Sequence, residues 1–370
     1  MMEVLNSRHT RANISLTAYR RNLRYFAEKC EPSLIAPVIK ADGYGHGAIP
    51  LAKVAESLNC PYLCVAFLEE ALELRSAGID LPILVLNYFA PESTPLFIQE
   101  RLTATIFSFQ QLEALAPFID AGKLSVHVKV DTGMSRLGVK PDEVERLIRQ
   151  IREKRGIQIE GLYTHFATAD EPDPAFARKQ YDRFVGLRTH FHQSIRYFHV
   201  SNSAAAQYLP LNLFDFIRLG ISSYGLDARN EKRPAPLLPV LSWETVLSHV
   251  KIVQEGESVS YGRTFIADRT MTIGTVPVGY ADGYNRLLSN RGAALVKGRR
   301  CPIVGRVCMD QFMIDLSHVP SPYAGDRVML IGFDGSEEIS CEEIARHLST
   351  INYEVTCQIS KRVPRVYTAE

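Results

Sequence analysis

The stretch LIAPVIKADGYGHG, residues 34–47, joins a short apolar run to a lysine and then to a turn holding three glycines. The run through Ile39 suits a buried strand that Lys40 closes, and Gly43, Gly45 and Gly47 let the chain turn sharply past Asp42, Tyr44 and His46. A buried strand that feeds a turn and then an amphipathic stretch is the repeating unit of a parallel α/β sheet. Further runs of this kind lie at 62–67, 83–88, 103–108, 125–130, 157–165, 197–200 and 215–219. Stretches of helical period separate them: LEEALELRSAG closes on Gly78, KPDEVERLIRQIREKRG opens with Pro141 and closes on Gly156, and DPAFARKQYDRFVGLRTHF opens with Asp173 and Pro174. With the run at 34–40, eight strands are predicted, the number that closes a (β/α)8 barrel in its usual ~250 residues. An open doubly wound sheet is the alternative.

After the eighth strand the texture changes. The charged, proline-rich DARNEKRPAPLLPV places a domain boundary near residue 235, giving a barrel over 1–235 and a β-rich domain over 236–370. The first dozen or so residues are candidates to pair with that second domain. It reads as antiparallel β, from TVLSHVKIV and SVSYGRTFIA to DRVMLIG, with one late helix, CEEIARHLS.

The 370 residues, 46% hydrophobic, suffice for a large core, and 42 basic against 41 acidic residues leave a formal charge of +1. No bulk field therefore draws the chain to nucleic acid or an anionic membrane, and a charged ligand must be held locally. The N-terminal residues carry no apolar segment of a secretory signal, and no run is long enough to span a bilayer, so a cytoplasmic protein is expected. The seven cysteines lie mostly in apolar segments as reduced thiols; Cys60 and Cys64, spaced C-x-x-x-C, read as packing residues, and no metal is expected.

In a barrel of this kind reactive side chains gather where the strands end. Lys40, aimed into a dry barrel mouth, would have a depressed pKa and could form a Schiff base with an aldehyde, although a solvated strand terminus is the commoner fate of such a lysine. The fifth strand ends in VHVKVDTGMSRLGV, with Lys129, Asp131 and Arg136, and the sixth in GLYTHFATAD, with His165. Arg218 stands inside the apolar strand FDFIRLGISSYG, where a buried guanidinium needs partners. At HVSNSAAA, Asn202 and Ser203 open a helix whose N–H groups suit a phosphate, as does the RLGIS turn at Gly220; an ordinary helix cap is the plainer reading.

Taken together, these residues resemble the alanine racemase family, from PVIKADGYGHG to NYEVTCQISKRVPRVY, essentially the whole chain. The family's cofactor motif, a lysine four residues before a tyrosine followed by Gly-His-Gly, stands here as KADGYGHG. The resemblance implies that Lys40 carries pyridoxal 5'-phosphate in a Schiff base, with Tyr44 in the same pocket. It implies that Arg218 faces the pyridine nitrogen with His165 close by, and that Ser203, Gly220, Ile221 and Tyr353 hold the phosphate. Arg136 would contact the cofactor's phenolic oxygen and the substrate carboxylate, and Lys129 matches a position carbamylated in some members. Tyr261, in VSYGRTF, matches the second catalytic position, and Cys308, Met309 and Asp310, in GRVCMDQ, the border that a partner subunit gives the substrate. A homodimer with shared active sites follows. Tyr280 and Tyr353 would narrow the entrance, with Asp170, Arg286 and Arg306 lining the way in. Asp42 departs from the asparagine common in the family, and that turn position accepts either.

The family's reaction exchanges a Cα proton between opposite faces, which two bases, Lys40 and Tyr261, would serve. A tyrosine, with pKa ~10, is a weak base at neutral pH unless cations lower it, and His165 and Arg218 are the cations expected to do so. The implied activity is alanine racemisation, supplying D-alanine for peptidoglycan. A serine or broad-specificity racemase is the nearest alternative, and Tyr353 and Met309 favour a small pocket. A pyridoxal-phosphate homeostasis protein would lack the second domain. An amino-acid decarboxylase would place an acidic residue near the ring nitrogen, where Arg218 stands.

Overall fold

The computed structural model describes residues 8–119, 122–209, 211 and 214–369. It forms two compact units: Tyr19–Ser223, and the described residues through Ala18 together with those from Tyr224 onward.

The first unit is a closed eight-stranded parallel barrel. Its strands are β1 (Leu34–Pro37), β2 (Leu63–Val65), β3 (Ile83–Val85), β4 (Leu102–Ile106), β5 (Leu124–Lys129), β6 (Ile157–Tyr163), β7 (Tyr197–His199) and β8 (Phe216–Leu219). β2 to β7 pair in chain order, and β8 returns to β1 with Arg218 opposite Ala36. The bridge between Val38 and Cys64 joins β1 to β2, and the bonds Asp215 N to Phe198 O (3.0 Å) and Arg218 N to Ser201 O (3.1 Å) join β7 to β8. All eight predicted strands are present.

Their near-continuous burial explains why they read as apolar runs: β2 and β3 are wholly inaccessible, as are Val126 and Val128. Each such side chain contributes roughly 1.5–3 kcal/mol by leaving water. The outer helices follow their amphipathic pattern. Val144, Leu147, Ile148 and Ile151 form the buried stripe of Val144–Glu153, and Ser108 caps Phe109–Leu115 by accepting from Gln111 N at 3.1 Å. One irregularity shapes the interior. The register of β5 on β6 shifts by one residue beside His127, and a Cβ on Gly161 would fall 2.6 Å from that imidazole, so the glycine makes room for the ring.

The second unit is β-rich. A sheet runs in the spatial order Arg299–Pro302, Ala293–Val296, Arg327–Asp334, Leu241–Val246, Arg11–Ser15 and Arg365–Thr368. Strand Arg11–Ser15 thus belongs with this unit, antiparallel to Leu241–Val246 but parallel to Arg365–Thr368, so the sheet is mixed rather than purely antiparallel. Three more strands, His249–Val253, Met271–Val276 and Phe312–Asp315, form a separate antiparallel sheet. After the expected helix, Cys341–Leu348, comes a second one the sequence reading missed, Asn352–Cys357. All its residues but Glu354 are weak helix formers, and tertiary bonds hold it: Asn352 N donates to Asn230 Oδ1 (3.0 Å) and Asn352 Nδ2 to Asp227 O (2.8 Å).

Candidate active site

Lys40 lies just past β1 and opens a turn in which Ala41, Asp42, Gly43 and Tyr44 all have φ near the left-handed value, between 51° and 61°. The lysine is therefore not the last residue of the strand, as expected, but the first of the turn. Tyr44, buried, brings its hydroxyl to the β8 end, where a Cβ on Gly220 would fall 2.8 Å from Tyr44 Oη. Gly220 is thus required by close approach.

Ser203 starts the helix Ser203–Tyr208, which Asn202 caps by accepting from Ala205 N at 2.9 Å. The Ser203 hydroxyl accepts from Gly220 N (3.0 Å) and Ser222 N (3.3 Å), leaving its own proton to donate. Beside it the buried hydroxyls of Ser201 and Ser222 have no hydrogen-bond partner among the described residues. Ile221 is fully buried in the same turn.

Arg218, 3% exposed, is satisfied from four sides. Nη1 donates to His199 Nδ1 (2.5 Å), and Nη2 to Thr164 O (2.7 Å), Val200 O (3.1 Å) and His165 Nδ1 (3.1 Å). Its guanidinium also lies 5.1 Å from the Tyr163 ring centre, with the Lys129 ammonium 5.2 Å from the same ring. Burial is the main cause that holds His165 well below the usual imidazole range, followed by the charges of Arg218, Lys129, Arg136 and Lys40. Those four cations therefore share one mouth. Lys129 is 6% exposed, donates to Val130 O at 2.9 Å, and is lowered to about 7 by burial and then by Arg218 and Arg136. Asp131, the nearby carboxylate, is already engaged by Lys140 (2.5 Å) and by the amides of Gly133 and Ser135. The result is a cluster of cations at the strand ends, suited to an anion.

This electrostatics corrects one expectation. His165 is neutral at physiological pH and cannot act as a cation that lowers a tyrosine pKa; of the expected pair only Arg218 carries charge.

In the second unit, Tyr261 is 73% exposed on the turn Tyr261–Arg263, between strands Ser258–Val259 and Phe265–Ile266. Ser260 precedes it at φ 68°, its hydroxyl donating to Arg306 O at 2.7 Å and lying 3.6 Å from Cys308 Sγ. Gly262 packs on the Arg306 guanidinium. Tyr280 N donates to Cys308 O (3.0 Å) and Ala281 N to Met309 O (3.0 Å), which joins the Tyr280 turn to the Cys308–Met309 loop. The Ser289 hydroxyl, accepting from Val307 N (3.0 Å) and donating to Arg286 O (2.5 Å), ties in Arg286. Asp310 pairs with Arg362 at 2.8 Å. Tyr261, Tyr280, Arg286, Arg306, Cys308 and Met309 are thus connected through short bonds, with Met309 53% and Tyr280 42% exposed. Tyr353 is half-buried on Asn352–Cys357, and Asp170 is exposed in the loop after β6.

Comparison with known proteins bears on both units. The family model for the alanine racemase N-terminal domain matches residues 14–228, and that for the alanine racemase C-terminal domain matches 240–367. The chain belongs to the alanine racemase family. An alanine racemase of Desulfovibrio desulfuricans is 44% identical over 365 residues, covering 96% of this chain and 97% of that protein. The alanine racemase of Halothermothrix orenii is 42% identical, covering 98% of each. Among solved structures, alanine racemase from E. faecalis superposes with a TM-score of 0.94 at 40% identity, covering 99% of this chain and 100% of that one. The Bacillus anthracis alanine racemase with bound L-Ala-P gives 0.91 at 36% identity, covering 98% and 96%.

In this member of the alanine racemase family several site residues escaped the sequence reading. His199 lies beneath Arg218 and stacks on Tyr163, with ring centres 4.7 Å apart, and His127 Nδ1 lies 2.9 Å from His199 Nε2. The alternation of VHVKV and YFHV, which turns His127 and His199 to the side opposite their apolar neighbours, was the available signal.

Proposed function

We propose that this chain is a cytoplasmic alanine racemase that holds pyridoxal 5'-phosphate in the barrel mouth and works as a homodimer. The observation that carries the reading is Arg218: a guanidinium buried at the mouth of a barrel, among Lys40, Lys129 and Arg136, beside a turn built to receive an anion.

The residues present fit the cofactor. Ser203 retains a donor after accepting two amides, the Ser201 and Ser222 hydroxyls are buried without partners, and Gly220 keeps a cradle that a side chain would fill. Ser203, Gly220, Ile221 and Tyr44 would hold the phosphate, and Tyr353 is the family's further assignment to it. The five N–H donors of Arg218 outnumber its four protein acceptors, so it can donate to a ring nitrogen while keeping its own proton. When bound, pyridoxal phosphate supplies an aldehyde that condenses with an amine and an electron-poor ring that makes the adjacent Cα proton removable.

The chain's own residues decide where that proton goes. Lys40, at the rim of the barrel, would take or return it on one face of Cα. Tyr261 of the partner subunit, on a turn exposed in this chain, would serve the opposite face. Arg136 would hold the substrate carboxylate by a two-point bond. Met309 and Cys308 of the partner subunit would border a pocket sized for a methyl group, and Tyr280, Asp170, Arg286 and Arg306 would line the approach. Lys129, with a pKa near 7, is partly uncharged at neutral pH. Its nitrogen can bond to the carbon of carbon dioxide and release a proton, leaving a carbamate whose negative charge would hold Arg136. The product, D-alanine, would supply cell-wall peptidoglycan.

The test is direct. Incubated with pyridoxal phosphate, the protein should gain a long-wavelength absorbance band that borohydride abolishes, with the adduct on Lys40, and L-alanine should lose its optical activity faster than L-serine or L-lysine. A reducible adduct without racemisation of any amino acid would sink the reading, and faster serine turnover would move it to another substrate.

A further inference from the structure

We propose that Glu70 is a positioning residue for Lys40: its carboxylate ties the backbone of the lysine turn to the end of β2. Glu70 is the third residue of the helix Leu68–Ser76. Its Oε2 accepts from the amides of Ala66 (2.6 Å) and Phe67 (3.2 Å), while its Oε1 reaches a different loop and accepts from Ala41 N at 2.6 Å. A helix cap explains the first two bonds. The third leaves the helix altogether and grips the residue next to Lys40.

The turn needs such a hold. Ala41, Asp42 and Tyr44 are not glycine, yet all lie in the left-handed region with Gly43 between them. Cβ sterics disfavour that conformation, and it persists only where the surroundings over-determine it. Inside the turn, Gly43 N donates to Ile39 O (2.8 Å) and Gly45 N to Ala41 O (3.0 Å). At its exit, Asp42 Oδ1 accepts from Ala48 N at 2.8 Å, the first residue of the helix Ala48–Ser57. At its entry stands Glu70. The handedness of the turn sets the direction of both Lys40, at its start, and Tyr44, which closes on Gly220 four residues later.

A carboxylate is needed because both oxygens face amide donors in two different loops. An amide side chain has one acceptor end and one donor end, so glutamine can serve one loop and must oppose the other. That the hold matters for chemistry rests on the reading of Lys40 as the reactive amine.

The experiment compares full-length wild type, Glu70→Gln, and two controls: Glu69→Gln, its exposed neighbour on the same helix, and Ser108→Ala, which removes a cap elsewhere on the barrel. Amide hydrogen exchange is followed residue by residue, and the rate of the borohydride-reducible adduct on Lys40 is followed with added pyridoxal phosphate. The inference requires Glu70→Gln to speed exchange at Ala41, Gly43 and Gly45 by about tenfold, with strand β4 unchanged, and to slow adduct formation by a similar factor. Both controls should leave these readouts at wild-type values. Exchange raised only in the helix Leu68–Ser76, with the Lys40 turn and the adduct rate unchanged, would reduce Glu70 to a helix cap and overturn the inference. Absence of any Lys40 adduct in the wild type would instead sink the functional reading, and the exchange data would still decide the role of Glu70.

Discussion

Arg218 Nη1 donates to Nδ1 of His199 across 2.5 Å, and this bond sets the protonation of the barrel interior below it. His199, an acceptor at Nδ1, carries its proton on Nε2 and donates to His127 Nδ1 at 2.9 Å. The ring nitrogen of a bound cofactor would therefore meet a guanidinium that is itself braced from beneath. Replacing it with lysine keeps the charge but loses the planar fork that serves four acceptors. Arg218→Lys should cost roughly 2–4 kcal/mol of stability in urea unfolding, together with most of the racemase activity. An unchanged unfolding midpoint would show that the fork does not brace the barrel.

The same interior makes the protein sensitive to acid. Burial, then Arg218, lowers His127 to about 3, and burial and Arg218 also hold His165 and His199 well below their ordinary value. Below pH ~6.5 the unfolded chain binds protons that the folded chain refuses, so stability falls as the pH drops, by up to ~1.4 kcal/mol per pH unit for each histidine. Urea midpoints between pH 7 and 5 should fall steeply, and His127→Phe should make that slope shallower. Equal slopes in the two proteins would contradict the buried neutral state of His127.

Most of the barrel was legible because a strand buried on both faces reads as an apolar run, and all eight runs stood out. The second unit was harder. The N-terminal segment was expected to pair there, but not the parallel register of Arg11–Ser15 on Arg365–Thr368, and Asn352–Cys357 is held by contacts to Asn230 and Asp227 that no local pattern announces. In the site, Lys40, Arg218 and Ser203 were visible as polar residues breaking apolar strands or opening a helix. Glu70 was not, because its sequence context is that of an ordinary cap and only the fold brings Ala41 to it. The charge of His165 could not be read either, since its neutrality comes from burial and from four cations on separate strands and loops.

Lys129 gives a prediction on the alkaline side. Its pKa is about 7 in the folded chain and ~10.4 in the unfolded chain. Between those values the unfolded chain binds the extra proton, so stability rises with pH by up to ~1.4 kcal/mol per unit. In bicarbonate-free buffer, wild type should become more stable from pH 7 to 9, and Lys129→Met should lack that gain. With labelled bicarbonate added, a carbamate carbon signal should appear in wild type alone. If the signal is absent while the stability gain is present, the lysine is a buried amine without the modification.

Gly220→Ala tests the cradle. The added Cβ would sit 2.8 Å from Tyr44 Oη, so the tyrosine must move while the apolar barrel core stays as it is. Affinity for pyridoxal phosphate should fall by about tenfold or more, with a small change in unfolding midpoint. Wild-type cofactor affinity in this variant would remove Gly220 and Tyr44 from the phosphate site.

The proposed site combines Lys40 of one chain with Tyr261 of another, so two inactive variants should restore each other when mixed. Lys40→Ala and Tyr261→Phe should each racemise alanine at least a hundredfold more slowly than wild type. Unfolded and refolded together in equal amounts, they should regain about a quarter of wild-type activity, since half the dimers are then hybrids and each hybrid has one intact site of two. Activity that stays at the level of the separate variants, in a mixture shown to contain hybrid dimers, would contradict the shared site.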